Sequence, residues 1–302
     1  MQPAVTVVID SLPDRGKWKF YPERYPDALV TEWAGYTAPI SDEATKALLT
    51  CDVIFSAETW YDPLVPRLAR MQGVASVLYV NPELHRMEES NEATAVWAPT
   101  SWRIEQIPRA EHVSMPVALD RLEGNPVGDT FFHLGGHKAR GDRNGMEVAI
   151  RAARLAGIPL HVSSQDDLRV AGHGVTLMPA KDDYWEMYAG HGVLVMPRKY
   201  GGLCLPTQEA LAAGLAVIMT DVSPNQEWPV ALTRTVRAAK TKMIGGMVDM
   251  IEPDRQSLAD EMRRMLDIDY RGGWQAKGRV WAQAHSWGEL KAEWLARLAE
   301  LC

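Results

Sequence analysis

Two stretches of this chain combine glycines, cations and a carboxylate in an order that suits an anionic or hydroxyl-rich ligand. The first, 192–228, reads GVLVMPRKYGGLCLPTQEALAAGLAVIMTDVSPNQEW. Its apolar run 193–196 predicts a buried parallel strand. Gly201, Gly202, Leu203 and Cys204 then lead to Pro206, whose fixed φ suits a first helical turn. Residues 207–213 read as that helix, Gly214 ends it, and 215–219 is a second buried strand. Such a βαβ unit points backbone N–H groups and a helix N-terminus at a phosphate or a sugar hydroxyl. Glu209 is the carboxylate on this helix. The second stretch, 131–145, reads FFHLGGHKARGDRNG: a strand, Gly135 and Gly136, then Lys138, Arg140 and Arg143 before a helix. Arg presents a fork to phosphate oxygens and Lys a point charge.

Blander explanations exist for both. The glycines of 201, 202 and 214 also serve as punctuation in any tight βαβ turn, with Glu209 a solvated helix residue. Exposed Lys and Arg are the rule. Further candidates are Glu58, Trp60, Tyr61, Asn81, Glu83 and His85, which follow strands in the first half. Ligands in open α/β sheets bind beyond the carboxyl ends of strands, and Glu83 or Glu58 there can orient an acceptor hydroxyl. His85 and His133 suit structural roles equally well. The pairs Asp166-Asp167 and Asp182-Asp183 are explained as caps and dipole partners rather than metal ligands.

The elements that must position these residues alternate throughout, which predicts an α/β protein. Strands are expected at 5–9, 29–33, 52–56, 74–80, 95–98 and 112–117, with helices at 42–49 and 62–71. Residues 119–129, with Gly124, Pro126 and Gly128, read as an interdomain linker. The second half begins with a strand at 130–134 and a helix at 146–156. Strands follow at 159–163 and 175–178, and a short helix at 182–188. Segments 235–251 and 254–266 read as helical. The tail carries Trp274, Trp281, Trp287 and Trp294 on helical periods.

With 302 residues, two domains are expected. No apolar run approaches the ~18 residues of a membrane span, and the opening MQPAVTVVID lacks the basic region of a signal peptide. Three widely spaced cysteines, Cys51, Cys204 and Cys302, predict free thiols in a reducing cytoplasm. Residues 1–120 hold 10 Lys and Arg against 17 Asp and Glu, so the whole net charge of −7 lies there. This argues against a polyanionic acceptor. Segment 11–26 runs the other way, with Arg15, Lys17, Trp18, Lys19, Phe20, Tyr21, Arg24 and Tyr25 around Gly16. It suits stacking on a sugar ring or a base, or serves as an ordinary surface loop.

Stretch 192–228 resembles the donor-site signature of retaining GT-B glycosyltransferases, above all glycosyltransferase family four, with its glycogen synthase- and sucrose synthase-like donor domains. The match runs through Pro197, Gly202, Leu205, Pro206, Glu209, Ala210, Ala212, Gly214 and Val217. The resemblance implies two Rossmann-like parallel-sheet domains facing across a cleft. They are expected at 1–122, for the acceptor, and 129–286, for the nucleotide sugar, with helix 287–302 returning to the first. It implies that Glu209 binds the ribose hydroxyls. The family's other Glu, placed near the donor sugar, is replaced here by Gly201. Gly136 and Gly145 match the family's framing glycines in the diphosphate loop, where His137 and Asn144 stand for Arg and Lys. The positive charge is then carried by Lys138, Arg140 and Arg143, with Lys138 and Arg143 as catalytic candidates beside Glu83. Gly16 would lie against the donor phosphates and Met178 to Lys181 against the base. The implied activity is metal-independent transfer of a sugar from a UDP- or GDP-sugar to a saccharide or small-molecule hydroxyl. A hydroxymethylated DNA base is the minority acceptor. A sugar-nucleotide epimerase and a degenerate binding module are the competing classes, the second kept open by Gly201.

Overall fold

The computed structural model describes residues 7–11, 28–32, 51–58, 65–83, 85, 87–136, 142–164, 174–179, 181, 183–243 and 246–302. The calls at Gly16 and its basic-aromatic neighbours, the helix expected at 42–49, Trp60, Tyr61, Lys138, Arg140, Asp166, Asp167 and Asp182 lie outside them.

The chain divides into two compact units: residues 1–116 with 243–246 and 287–302, and residues 117–242 with 247–286. In the first unit the described strands are β1 (Val7–Ser11), β2 (Ala28–Glu32), β3 (Val53–Glu58), β4 (Ala75–Val80), β5 (Ala95–Ala98) and β6 (Ala110–His112). They form a sheet in the order β2-β1-β3-β4-β5-β6, with parallel pairings. β4 is buried along its whole length, which is why its sequence, ASVLYV, is apolar but for Ser76 and does not alternate. The helix Trp287–Ala299 belongs to this unit. Its Trp294 packs among Phe55, Tyr79 and Trp97 at ring separations of 5.5–5.7 Å. The indole satisfies its N–H on the Ser114 carbonyl, 3.1 Å away.

The second unit carries β7 (Thr130–Leu134), β8 (Leu160–Ser163), β9 (Val175–Leu177), β10 (His191–Met196), β11 (Ala216–Thr220) and β12 (Ala231–Thr233). The order is β12-β11-β10-β7-β8-β9, again parallel. One face, with Phe131, Val193, Val195 and Ile218, packs with the helices Met146–Ala156 and Arg255–Arg264. On the opposite face, the helix Leu205–Ala212 reaches β11 through Thr207, whose hydroxyl lies 3.3 Å from the Met219 sulfur.

Two expectations are corrected. Residues 235–251 are not helical but form paired strands, β13 (Thr235–Met243) and β14 (Gly246–Pro253). The adjacent Gly245-Gly246 is a hairpin signal that outweighs the apolar spacing. Residues 119–129 are not a free linker. They open with the short helix Leu119–Leu122 in the second unit, with Leu122 fully buried. Gly190 N–H donates to the Pro126 carbonyl at 2.7 Å and Gly128 N–H to that of His191 at 3.0 Å. The glycines and proline there set turns, and packing fixes them.

Candidate functional site in the second unit

β7 starts the second sheet in its middle. The chain builds outward through β8 and β9, then returns to place β10 on the other side of β7. The loops after β7 and β10 therefore leave toward helices on opposite faces, and the crevice between them is where open α/β sheets bind ligands. Gly135, Gly136, Asn144 and Gly145 come from the first loop, and Pro197 to Cys204 from the second.

The loops are fastened together. Gly145 has φ +74°, and a Cβ there would lie 2.2 Å from the Pro197 carbonyl oxygen. Lys199 N–H donates to the Arg143 carbonyl at 2.9 Å. The Lys199 ammonium lies 3.2 Å from Asp142 Oδ2. Asp142 Oδ1 also accepts the Met146 amide at 2.7 Å, so this carboxylate caps the helix Met146–Ala156. Asn144 Nδ2 donates to the carbonyls of Leu134 and Gly135. Arg143 stacks over Tyr200, 4.8 Å from the ring centre, and its Nη2 donates to the Gly201 carbonyl at 2.8 Å.

Arg198, 3% exposed, reaches the same loop. Its Nη2 and Nη1 approach the carbonyls of Gly201 and Gly202 at 3.4 Å each. The carbonyls of the glycine pair thus face guanidinium groups. None of the amides of Gly202, Leu203 and Cys204 is taken by a backbone carbonyl among the described residues. Pro206 follows in the first turn of the helix. That combination suits an anion or a hydroxyl.

Glu209 lies on this helix and is 2% exposed. Its Oε2 accepts from the hydroxyls of Tyr184, at 2.7 Å, and Tyr188, at 2.5 Å. The two hydroxyls are 3.1 Å apart. Burial first, then the Glu209 charge, holds the Tyr188 phenol well above its ordinary pKa, so it remains a donor. The solvated-residue reading of Glu209 is thereby excluded. The tyrosines come from the short 3₁₀ turn Tyr184–Tyr188, capped by Asp183, whose carboxylate accepts the Trp185 amide at 3.0 Å. The Tyr-x-x-x-Tyr spacing was the only signal for them in the sequence.

His133, fully buried on β7, places Nδ1 2.6 Å from the Val195 carbonyl. Burial lowers its pKa, so the ring is neutral and Nδ1 donates. Met178 is tied to β8 through its amide, which donates to the Val162 carbonyl at 2.8 Å.

The structure therefore brings Gly135, Gly136, Arg143, Gly201, Gly202, Leu203, Cys204 and Glu209 onto the connected loops and helix. Glu83 belongs to the first unit. It is fully buried, and the Asn81 amide, with its nitrogen turned inward, donates to both carboxylate oxygens. Nearby, His85 Nε2 and the Ser90 hydroxyl are 2.8 Å apart. Among the described residues no group of three or more His, Cys, Asp or Glu could hold a metal ion. No described helix is long and apolar enough to cross a membrane.

Residues 150–267 match the family model described as "Glycosyl transferases group 1". No curated protein matches the chain in sequence. Among solved structures, HepE from Anabaena, in complex with UDP and glucose, is similar at a TM-score of 0.71 and 11% identity, covering 98% of this chain and 100% of that one. Sucrose-phosphate synthase from Thermosynechococcus elongatus gives 0.63 and 16%, covering 97% and 88%. An E. coli structure described as trehalose-6-phosphate bound with UDP-2-fluoro glucose gives 0.65 and 9%, covering 97% and 99%. The fold is that of GT-B glycosyltransferases.

Proposed function

Starting from a chain with a GT-B fold and a match to the group 1 glycosyltransferase model, we propose that it moves a sugar from a nucleoside-diphosphate sugar to an acceptor hydroxyl. The observation that carries this reading is Glu209, a buried carboxylate held by two tyrosine hydroxyls behind a glycine loop with open amides. A carboxylate fixed in this way accepts ribose hydroxyls without an ordering cost. The amides of Gly202 to Cys204 and the helix N-terminus meet the phosphates or the sugar.

Lys138 and Arg140, together with Arg143, supply positive charge to the diphosphate. As the bond from the anomeric carbon to phosphate oxygen breaks, its electron pair passes to the diphosphate, and these cations stabilise that charge. The acceptor oxygen forms the new bond, and its proton passes to the departing phosphate oxygen. Attack on the face that the diphosphate leaves gives retention. This scheme requires no metal. A saccharide or small molecule is the proposed acceptor, and a DNA base the minority one. Glu83, buried and paired with Asn81, acts by positioning rather than as a base. Three cysteines far apart in the sequence, with no disulfide among them, support a reducing cytoplasm as the compartment.

A second reading, a module that binds the nucleotide sugar without turnover, is favoured by Gly201 and by the carbonyl contacts of Arg143 and Arg198. Incubation with UDP- and GDP-sugars separates the two. Slow release of free sugar and nucleoside diphosphate supports transfer, binding alone supports the module, and an isomerised donor would indicate an epimerase.

A further inference from the structure

Among the described residues Arg198 is a buried cation without a counter-ion. Only 3% of it is exposed. Its two carbonyl contacts are both at 3.4 Å, the long limit of a hydrogen bond, and its Nε has no partner. No carboxylate among the described residues pairs with it. Arg143 directs a second guanidinium at the same Gly201 carbonyl. Two like charges converging on one neutral oxygen in a poorly solvated place is a costly arrangement unless an anion joins it. Asp142, the one acidic residue of the loop after β7, is already held by Lys199 and by the helix amides.

Resting on the glycosyl-transfer reading above, we propose that the transferred sugar itself bears a carboxylate, and that Arg198 is its specificity determinant. The donor class is then a nucleoside-diphosphate uronate. Arg198 belongs to the same strand–loop–helix unit as Glu209, so it accompanies the donor and not the acceptor. The glycosyl-transfer reading assigns the diphosphate to Lys138 and Arg140, which leaves Arg198 for a separate anionic group. A planar carboxylate takes two parallel hydrogen bonds from a guanidinium, and Arg198 has five N–H donors with only two long contacts. Gly201 supplies no carboxylate there that could neutralise the guanidinium.

The test uses the full-length chain and direct binding measurements. Probes are UDP, UDP-glucose and UDP-glucuronate, with GDP, GDP-mannose and GDP-mannuronate in parallel, against wild type, Arg198→Gln and Arg198→Lys. Wild type should bind the uronate of the accepted nucleotide about tenfold or more tighter than the neutral hexose. Arg198→Gln should bring that ratio close to one while leaving affinity for the free nucleoside diphosphate within about threefold. Arg198→Lys, which keeps charge but not the fork, should lie between. Equal affinities of wild type for uronate and hexose overturn the proposal, whether or not the variants fold. A parallel loss of UDP or GDP affinity in Arg198→Gln also overturns it, and assigns Arg198 to the diphosphate. Failure of every nucleoside diphosphate to bind wild type defeats the glycosyl-transfer reading itself.

Discussion

The Tyr188 hydroxyl donates to Glu209 Oε2 at 2.5 Å, joining the 3₁₀ turn before β10 to the helix after it. Glu209 is therefore part of the fold as well as of the candidate donor site. Glu209→Ala should weaken nucleoside-diphosphate binding at least tenfold, since hydrogen bonds to charged groups are worth about 1.5–3 kcal/mol each. It should also lower stability, because the buried Tyr188 hydroxyl and the part-buried Tyr184 hydroxyl lose their acceptor. Tyr188→Phe removes one of those donors and should cost about 1–2 kcal/mol of stability with only a few-fold loss of affinity. Calorimetric titration and thermal unfolding of both variants check the two readouts. Unchanged affinity in Glu209→Ala would place the ribose elsewhere.

Gly145 allows the two loops of the site to close on each other. Its φ of +74° disfavours a side chain, and an added Cβ would strike the Pro197 carbonyl carbon and oxygen, which are backbone atoms. Gly145→Ala should cost on the order of 2–4 kcal/mol, and the donor affinity of whatever folds should drop, because the Arg143–Gly201 contact lies on the displaced loops. Gly157→Ala serves as the comparison: it also has positive φ but no atom within 4 Å of the added Cβ. Equal destabilisation of the two would refute the close-approach argument.

Acid should loosen the second unit. His191 stacks on Phe132 at 4.4 Å and lies 2.8 Å from the Thr130 hydroxyl. Burial, followed by the nearby His161 and Lys181, lowers its pKa to about 4. A folded-state pKa below the unfolded value means that the unfolded chain binds more protons between about 6.5 and 4. The stability that neutral His191 contributes is thus present above pH 6.5 and lost as pH falls toward 4. The loss should be on the order of 2–3 kcal/mol. Denaturant midpoints across this range should fall less steeply in His191→Asn, which does not titrate there.

The β10–loop–helix–β11 unit was legible because each level of its sequence agrees. Continuous apolar runs mark strands buried on both faces, Pro206 suits a first turn, and Gly214 ends the helix. The hairpin 235–253 was missed because its apolar residues are spaced ambiguously, and only Gly245-Gly246 points to a turn. Leu122 shows the limit of composition, since Gly124, Pro126 and Gly128 describe turns but not what they pack against. In the candidate site the motif marks Glu209, but its tyrosine partners lie 25 and 21 residues before it, and only their Tyr-x-x-x-Tyr spacing hints at them. The sequence offers Lys138, Arg140 and Arg143 as diphosphate candidates of unequal weight without showing what else they bind; in the structure Arg143 donates to the Gly201 carbonyl and Lys199 pairs with Asp142. The cations proposed for the diphosphate are Lys138 and Arg140. Replacing either with Ala should lower turnover more than about 30-fold, equivalent to ~2 kcal/mol of transition-state stabilisation. Two mild variants would move the diphosphate to other groups.

The acceptor can be separated into charged and neutral classes by salt. Residues 1–120 carry the whole −7 of net charge, and that field disfavours a polyanion at any distance shorter than the screening length. Arg15, Lys17, Trp18 and Lys19 are the local exception, able to join phosphate neutralisation to base stacking. If they grip DNA, neutralising even three phosphates makes affinity fall with a log–log salt slope of about −2 to −3. A neutral saccharide releases no counterions, so its slope should be close to zero. Acceptor affinity measured from low to physiological salt, for wild type and for Lys17→Ala/Lys19→Ala, decides between them. We expect a flat response that the double variant leaves flat. A steep slope that flattens in the double variant would make a nucleic acid the acceptor, because only the loss of counterion release through those two side chains produces that change.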